Sequence, residues 1–249
     1  MNNEVNLSDK SKRFLDDLRI YLFSSGKKSE EIDEIATELE IHLAEAEKNG
    51  KPIEKIIGNS PKEYMQMVSN EMVIDYRAWV KYIFIIIIGS FSFAIYRGLL
   101  EGTLSYSILE IIGHSFIVLV SLGILFGAFK YVSGNNFSTV KQILILTIPG
   151  GLPIILFLGL IFANQVVETP TIDFGVLGTI IITSLITLFL IGVSIWARTP
   201  IIIIMIALVI IPEYLLSFTA FRIDTQAIIS SILTFIGIGI FLALSLRKK

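Results

Sequence analysis

Cysteine is absent from the 249 residues, which excludes disulfides, thiolate metal sites and a cysteine nucleophile. Histidine is nearly absent: His42 and His114 alone cannot build a multi-histidine zinc centre. No H-E-x-x-H, G-x-S-x-G or Walker A sequence occurs, and the paired glutamates and arginine of membrane-embedded CAAX-type proteases are missing from the apolar stretches. The reading is therefore of a protein that is not an enzyme, with no catalytic residues, no metal and no cofactor. The first residues, MNNEVNLSDKSKRF, show no apolar core or cleavage signal, so no signal peptide is expected and the first membrane helix must direct insertion. No lipidation box is present either. Charge is scarce as well, at 17% of residues against roughly 25% in an average soluble domain.

The scarcity is uneven. Residues 1–76 hold 10 Lys+Arg and 16 Asp+Glu, net −6, while residues 77–249 hold 10 and 6, net +4. The acidic part argues against nucleic acid, which needs a clustered basic face to replace phosphate counterions. The second part is written for hydrocarbon. Six stretches pass the length of about 20 apolar residues needed to cross a bilayer: Trp79–Gly98, Ser105–Phe129, Gln142–Phe162, Gly175–Trp196, Ile201–Phe221 and Ala227–Leu246. The fold class expected is all-α: a polytopic membrane protein with six transmembrane helices (77–249) behind a small cytosolic helical domain (1–76).

Loop charges orient it. Lys130 and Lys141 flank the second loop, Arg198 lies in the fourth, Arg247, Lys248 and Lys249 end the chain, and Arg77 and Lys81 precede the first span. The third loop carries only Glu168 and Asp173, and Arg97 and Arg222 each lie near an acid, Glu101 and Asp224. Cations gather on the cytoplasmic side, so both termini are expected there, in the cell membrane. Trp79, Tyr82, Tyr96, Tyr106, Tyr131 and Trp196 fall near the expected interfaces. No internal repeat is visible.

In the acidic part, Asp9–Phe23 has apolar residues at helical spacing, and Gly26 ends it. Ser29 stands as an N-cap for a second helix reaching about Asn49, with Asn49–Gly50 as its left-handed stop. A short helix is expected at Pro52–Ile57, and Ser60–Pro61 opens another. From Pro61 to Arg97 charged helix passes into apolar helix with no breaker, which predicts one rigid strut joining the two parts. The small hairpin is marginal alone and should lean on this junction helix or on a partner.

The same region carries F-L-x-x-L-x-x-Y-L at Phe14–Leu22, E-L-E-x-H-L-x-E-A at Glu38–Ala46 and G-K-x-x-E-x-I-x-G-x-S-P-x-E-Y at Gly50–Tyr64. Over Lys10–Glu71, and not in the membrane half, this resembles the HAAS-type helical domain of small bacterial membrane proteins. The resemblance implies signalling or regulation through a bound protein partner, often beside PadR-type repressors, and no chemistry.

Two residue sets stand out. Glu38, His42 and Glu45 share one helix face, readable as a partner-binding face, a metal site, or solvated i,i+4 pairs. Glu110, His114 and Glu213 lie in apolar stretches, where ionisable groups cost several kcal/mol unless paired or hydrated. They form a candidate intramembrane polar site, or else polar packing between helices worth about 0.6 kcal/mol a contact. Pro149-Gly150-Gly151-Leu152-Pro153 interrupts the third span, either as an unwound break of the kind transporters use or as a packed kink. The expected function is that of a regulatory or adaptor membrane protein whose cytosolic domain binds a protein partner in or at the bilayer. A small secondary transporter or permease subunit is the alternative.

Overall fold

The computed structural model describes residues 7–246; the three C-terminal cations of the charge count and the first six residues lie outside them. The elements are α1 (Asp9–Ser24), α2 (Ser29–Lys48), α3 (Glu54–Ile57), α4 (Pro61–Glu71), α5 (Tyr76–Glu101), β1 (Ser105–Ser107), α6 (Ile108–Ser133), α7 (Thr139–Val166), β2 (Thr171–Asp173), α8 (Gly175–Trp196), α9 (Ile201–Ser217) and α10 (Ile223–Leu246). They form two compact units: Met1–Tyr82 with Phe116–Gly159, and Ile83–Ser115 with Leu160–Lys249.

In the first unit α1 and α2 make a hairpin. Leu18 and Leu22 of α1 and Leu43 of α2 are completely buried, each contributing roughly 1.5–3 kcal/mol of transfer free energy. Met65 of α4 is buried in the same core, and Tyr64 meets Phe14 edge to face at 5.9 Å, so the hairpin does lean on the junction segment. Ser60 caps α4, accepting from the Glu63 N–H at 3.3 Å, with Pro61 at the first helical position. Ser29, by contrast, is the first residue of α2 rather than its cap; Lys28 holds that place without a side-chain hydrogen bond. Glu47 clamps the hairpin's open end, accepting from the Ser8 N–H at 2.9 Å, the Ser8 hydroxyl at 2.5 Å and the Ser11 hydroxyl at 2.6 Å.

The continuous strut is not formed. Helix α4 stops at Glu71, Met72 is extended, and Ile74 pairs antiparallel with Lys27 before α5 begins at Tyr76. Asp75 is the reason. Its carboxylate accepts from the Ala78 N–H at 3.0 Å, starting a new helix, while its own N–H donates to the Gly26 carbonyl at 2.9 Å. The carbonyl of Met72, freed from helical pairing, accepts from the Lys27 ammonium at 2.8 Å. The same unit holds the start of α5 and parts of α6 and α7. Trp79 lies 4.5 Å from Phe126, and Phe23 lies 6.0 Å from that same ring.

The second unit contains a feature that the apolar pattern does not announce. Ser105–Ser107, read as the start of a membrane helix, is a strand paired antiparallel with β2, with Ser105 opposite Asp173 and Ser107 opposite Thr171. Three-residue strands carry no usable alternation, so their pairing is set by the loops that meet. Helices α9 and α10 form a closely packed hairpin. Thr234 donates to the Leu208 carbonyl at 3.0 Å, and a β-carbon at Gly237 would lie 2.7 Å from Leu208.

Five helices are long and apolar enough to cross a membrane: 76–100 in α5, α6, α7, α8 and 224–245 in α10. The chain is thus a multi-pass membrane protein. Helix α9 has 17 residues, about 25 Å at 1.5 Å each, against a hydrocarbon core of about 30 Å, so the count of six is approximate. Helix α7 is continuous through Pro149 and Pro153, which excludes the unwound break and leaves the kink of the two alternatives. The prolines remove two donors, yet the flanking bonds keep the helix running, and added β-carbons at Gly150 and Gly151 would meet nothing within 4 Å.

Candidate functional site

The acidic face of α2 stands as its spacing dictates. Glu38 lies 3.8 Å from the His42 Nε2, both exposed, and Glu45 continues the same face into solvent. Residue Tyr64 brings α4 alongside: burial raises its phenol pKa, and the nearby Glu38 carboxylate adds to that rise.

A second place in the first unit has no counterpart in the sequence reading. A cleft of about 990 Å³ is bordered by Arg13 and Asp17 of α1, Lys62 of α4, and Asn135, Asn136 and Gln142 around the α6–α7 turn. Burial lifts the Asp17 pKa from 3.8 to about 6, with Asp16 adding to the rise and Arg13 opposing it. In the sequence Asp16–Asp17 looks like a solvated pair on a polar helix face. Only the fold separates them: Asp16 faces Arg19 at 3.9 Å, and Asp17 is half-buried.

A third place is the bracket between the α1–α2 turn and the entry of α5. Gly26 has φ +81°, and a β-carbon there would lie 3.0 Å from the Trp79 Nε1 and 3.2 Å from Ile74. Glycine is thus required twice, for the left-handed turn and for the indole's approach. Beside it Lys27 is buried, and desolvation, with Lys130 nearby, lowers its ammonium pKa. Lys130 lies over the Tyr21 ring, 5.1 Å from its centroid.

The intramembrane candidates lie in the second unit, each with a different partner. Glu110 accepts from the Ser107 N–H at 2.9 Å, and its own N–H donates to the Ser107 hydroxyl at 2.9 Å. That is a reciprocal capping box at the start of α6, and Ser107-Ile108-Leu109-Glu110 is the sequence signal that could have revealed it. His114 lies on α6 with its Nε2 2.9 Å from the Ser90 hydroxyl and its ring stacked on Phe91, centroids 4.0 Å apart. Glu213 of α9 lies 3.8 Å from the Arg97 guanidinium of α5. Among the described residues no three His, Cys, Asp or Glu side chains gather as a metal site.

Around the ribbon, polar groups are knitted together. The Ser107 hydroxyl donates to Asn164 at 2.5 Å, the Leu104 N–H donates to the Thr179 hydroxyl at 2.9 Å, and the Phe174 N–H donates to the Leu104 carbonyl at 3.0 Å. Tyr96 and Thr187 share a hydrogen bond of 2.6 Å. This arrangement is structural: the Leu104 and Phe174 N–H groups, in the loops between apolar helices, are satisfied within the protein.

Residues 93–211 match the family model described as the HAAS transmembrane region, consistent with a HAAS-type family. The matched stretch begins in α5 and ends in α9, so the family signal falls in the membrane half, where the sequence reading placed none. Lipid-facing positions accept Ile, Leu, Val and Phe almost interchangeably, which leaves no motif to see in one sequence. No curated protein and no solved structure matches the chain.

Proposed function

We propose that this multi-pass protein with a HAAS-type transmembrane region is a non-enzymatic regulator or adaptor, whose helical N-terminal domain binds a protein partner on the cytoplasmic side of the cell membrane. One observation carries the reading. The α1–α4 domain is bracketed to the entry of α5 through Gly26, Lys27 and Asp75, and Trp79 reaches Phe126 of α6. A partner that shifts α1 or α2 therefore acts directly on two membrane helices. Charge supports the orientation, since Arg77, Lys81, Lys130 and Lys141 all flank the ends of α5, α6 and α7 that share a unit with the domain. The transport alternative needs a broken helix and a gathered polar set; α7 is continuous, and Glu110, His114 and Glu213 face different partners, so neither feature favours it.

The test is affinity capture of the full chain from native membranes after mild cross-linking. A specific protein recovered by the wild type, and lost from a chain lacking 7–74 but still inserted, is the expected outcome. Equal recovery by both chains, or none by either, removes the adaptor reading.

A further inference from the structure

Helices α2 and α4 each pack on α1, and between them a groove of about 600 Å³ stays open. Its floor is apolar: Ile35 from α2, and Met67, Val68 and Met72 from α4 and its end. The rim is acidic, with Glu31 and Glu34 on one side and Glu71 on the other. Lys28 pairs with Glu31 at 3.1 Å, whereas Glu34 and Glu71 have no ion pair among the described residues. Met67 is 54% exposed and Val73, at the end of the groove, 68% exposed. Large apolar side chains held open to water on a small charged domain mark a surface built to be covered.

We propose that this groove receives a basic amphipathic helix of the protein partner, an inference that rests on the adaptor reading above. Shape selects a helix, because two helices diverging over a third leave a trough that an apolar helical stripe fills, with anchors at i, i+3, i+4 and i+7. Charge selects the sign. The free carboxylates of Glu34 and Glu71 repel anionic lipid, nucleic acid and the same face of a second copy, and attract Lys or Arg flanking the apolar stripe. The acidic face continues down α2 through Glu38 and Glu45, extending the attraction beyond the groove. Met67 and Met72 give the floor an unbranched, polarisable surface that adapts to differently shaped anchors.

The cysteine-free chain makes the test direct. Full-length protein carrying Met67→Cys, in phosphatidylcholine nanodiscs, is mixed in a glutathione buffer with a synthetic helix of about 14 residues. The probe has leucines at i, i+3, i+4 and i+7, one cysteine in that stripe and lysines elsewhere; a second probe replaces every lysine with glutamate. Ile20→Cys, exposed on α1, is the control position. The expected result is that Met67→Cys captures the lysine probe roughly tenfold more than the glutamate probe and more than Ile20→Cys does, the preference falling several-fold in Glu34→Gln/Glu71→Gln. Equal capture of both probes, or at both positions, overturns the proposal, as does no capture, which means that lipid covers the groove. A Met67→Cys dimer formed without probe overturns it in favour of a second copy. A natural partner whose binding ignores Glu34→Gln/Glu71→Gln would remove the groove and leave the adaptor reading standing.

Discussion

Glu110 shows how a single residue changes meaning once its neighbours are placed. As an acid in an apolar helix it suggests a binding site; as the third residue of α6 it closes a capping box with Ser107. Glutamine serves that role too, so Glu110→Gln should leave the melting temperature in nanodiscs nearly unchanged. Ser107→Ala should cost about 0.5–2 kcal/mol, since it removes the cap and the partner of Asn164 together. If Glu110→Gln costs as much as Ser107→Ala, the charge has a task beyond capping. Asp17 gives the other residue-scale prediction. Its folded pKa, about 6, lies above the unfolded 3.8, so the folded chain holds this proton more tightly. Its contribution to stability is full below about pH 4 and is lost as pH rises through about 6. Asp17→Asn should therefore stabilise the protein at pH ~7.5 relative to pH ~4.5, by on the order of 1–2 kcal/mol after solvent screening. Paired thermal melts of variant and wild type at the two pH values would read this; parallel curves would show that Asp17 titrates normally.

At the scale of elements, much of the helical order is legible in the sequence. Asn49–Gly50, Ser60–Pro61 and the apolar runs mark ends and spans, because caps and solvent preference are local properties. The break at Met72–Asp75 is not legible. It depends on Gly26 and Lys27, more than forty residues earlier, supplying a carbonyl, a bridge and an ammonium. The ribbon is hidden for the same reason, each strand having its partner beyond two helices. Long-range pairing leaves no periodic trace. The bracket makes a prediction of its own: Gly26→Ala forces alanine to φ +81° and brings its methyl against Trp79. A loss of about 1–3 kcal/mol is expected. In a Trp196→Phe background the emission of Trp79 should shift to the red as its packing on Phe126 loosens. An unshifted spectrum would mean that the turn adapts without disturbing the membrane entry.

For the whole molecule, the orientation proposed above turns on α9, the helix too short to settle its own crossing. Single cysteines at Asn135, Glu168 and Thr219 can be labelled with an impermeant maleimide in intact cells. Crossing by α9 predicts labelling at Glu168 and Thr219 only, with Asn135 reached after lysis. If Thr219 joins Asn135, α9 turns back and the C-terminus lies outside. The ribbon also constrains the order of assembly. Strand β1 leaves the ribosome with α6 and α7 still to be made before β2 exists, and until then its backbone donors and acceptors have no strand to meet. The second unit can therefore lock only after the translocon has passed two more helices, which makes the interval before α8 the vulnerable one, when quality-control proteases meet an unfinished edge.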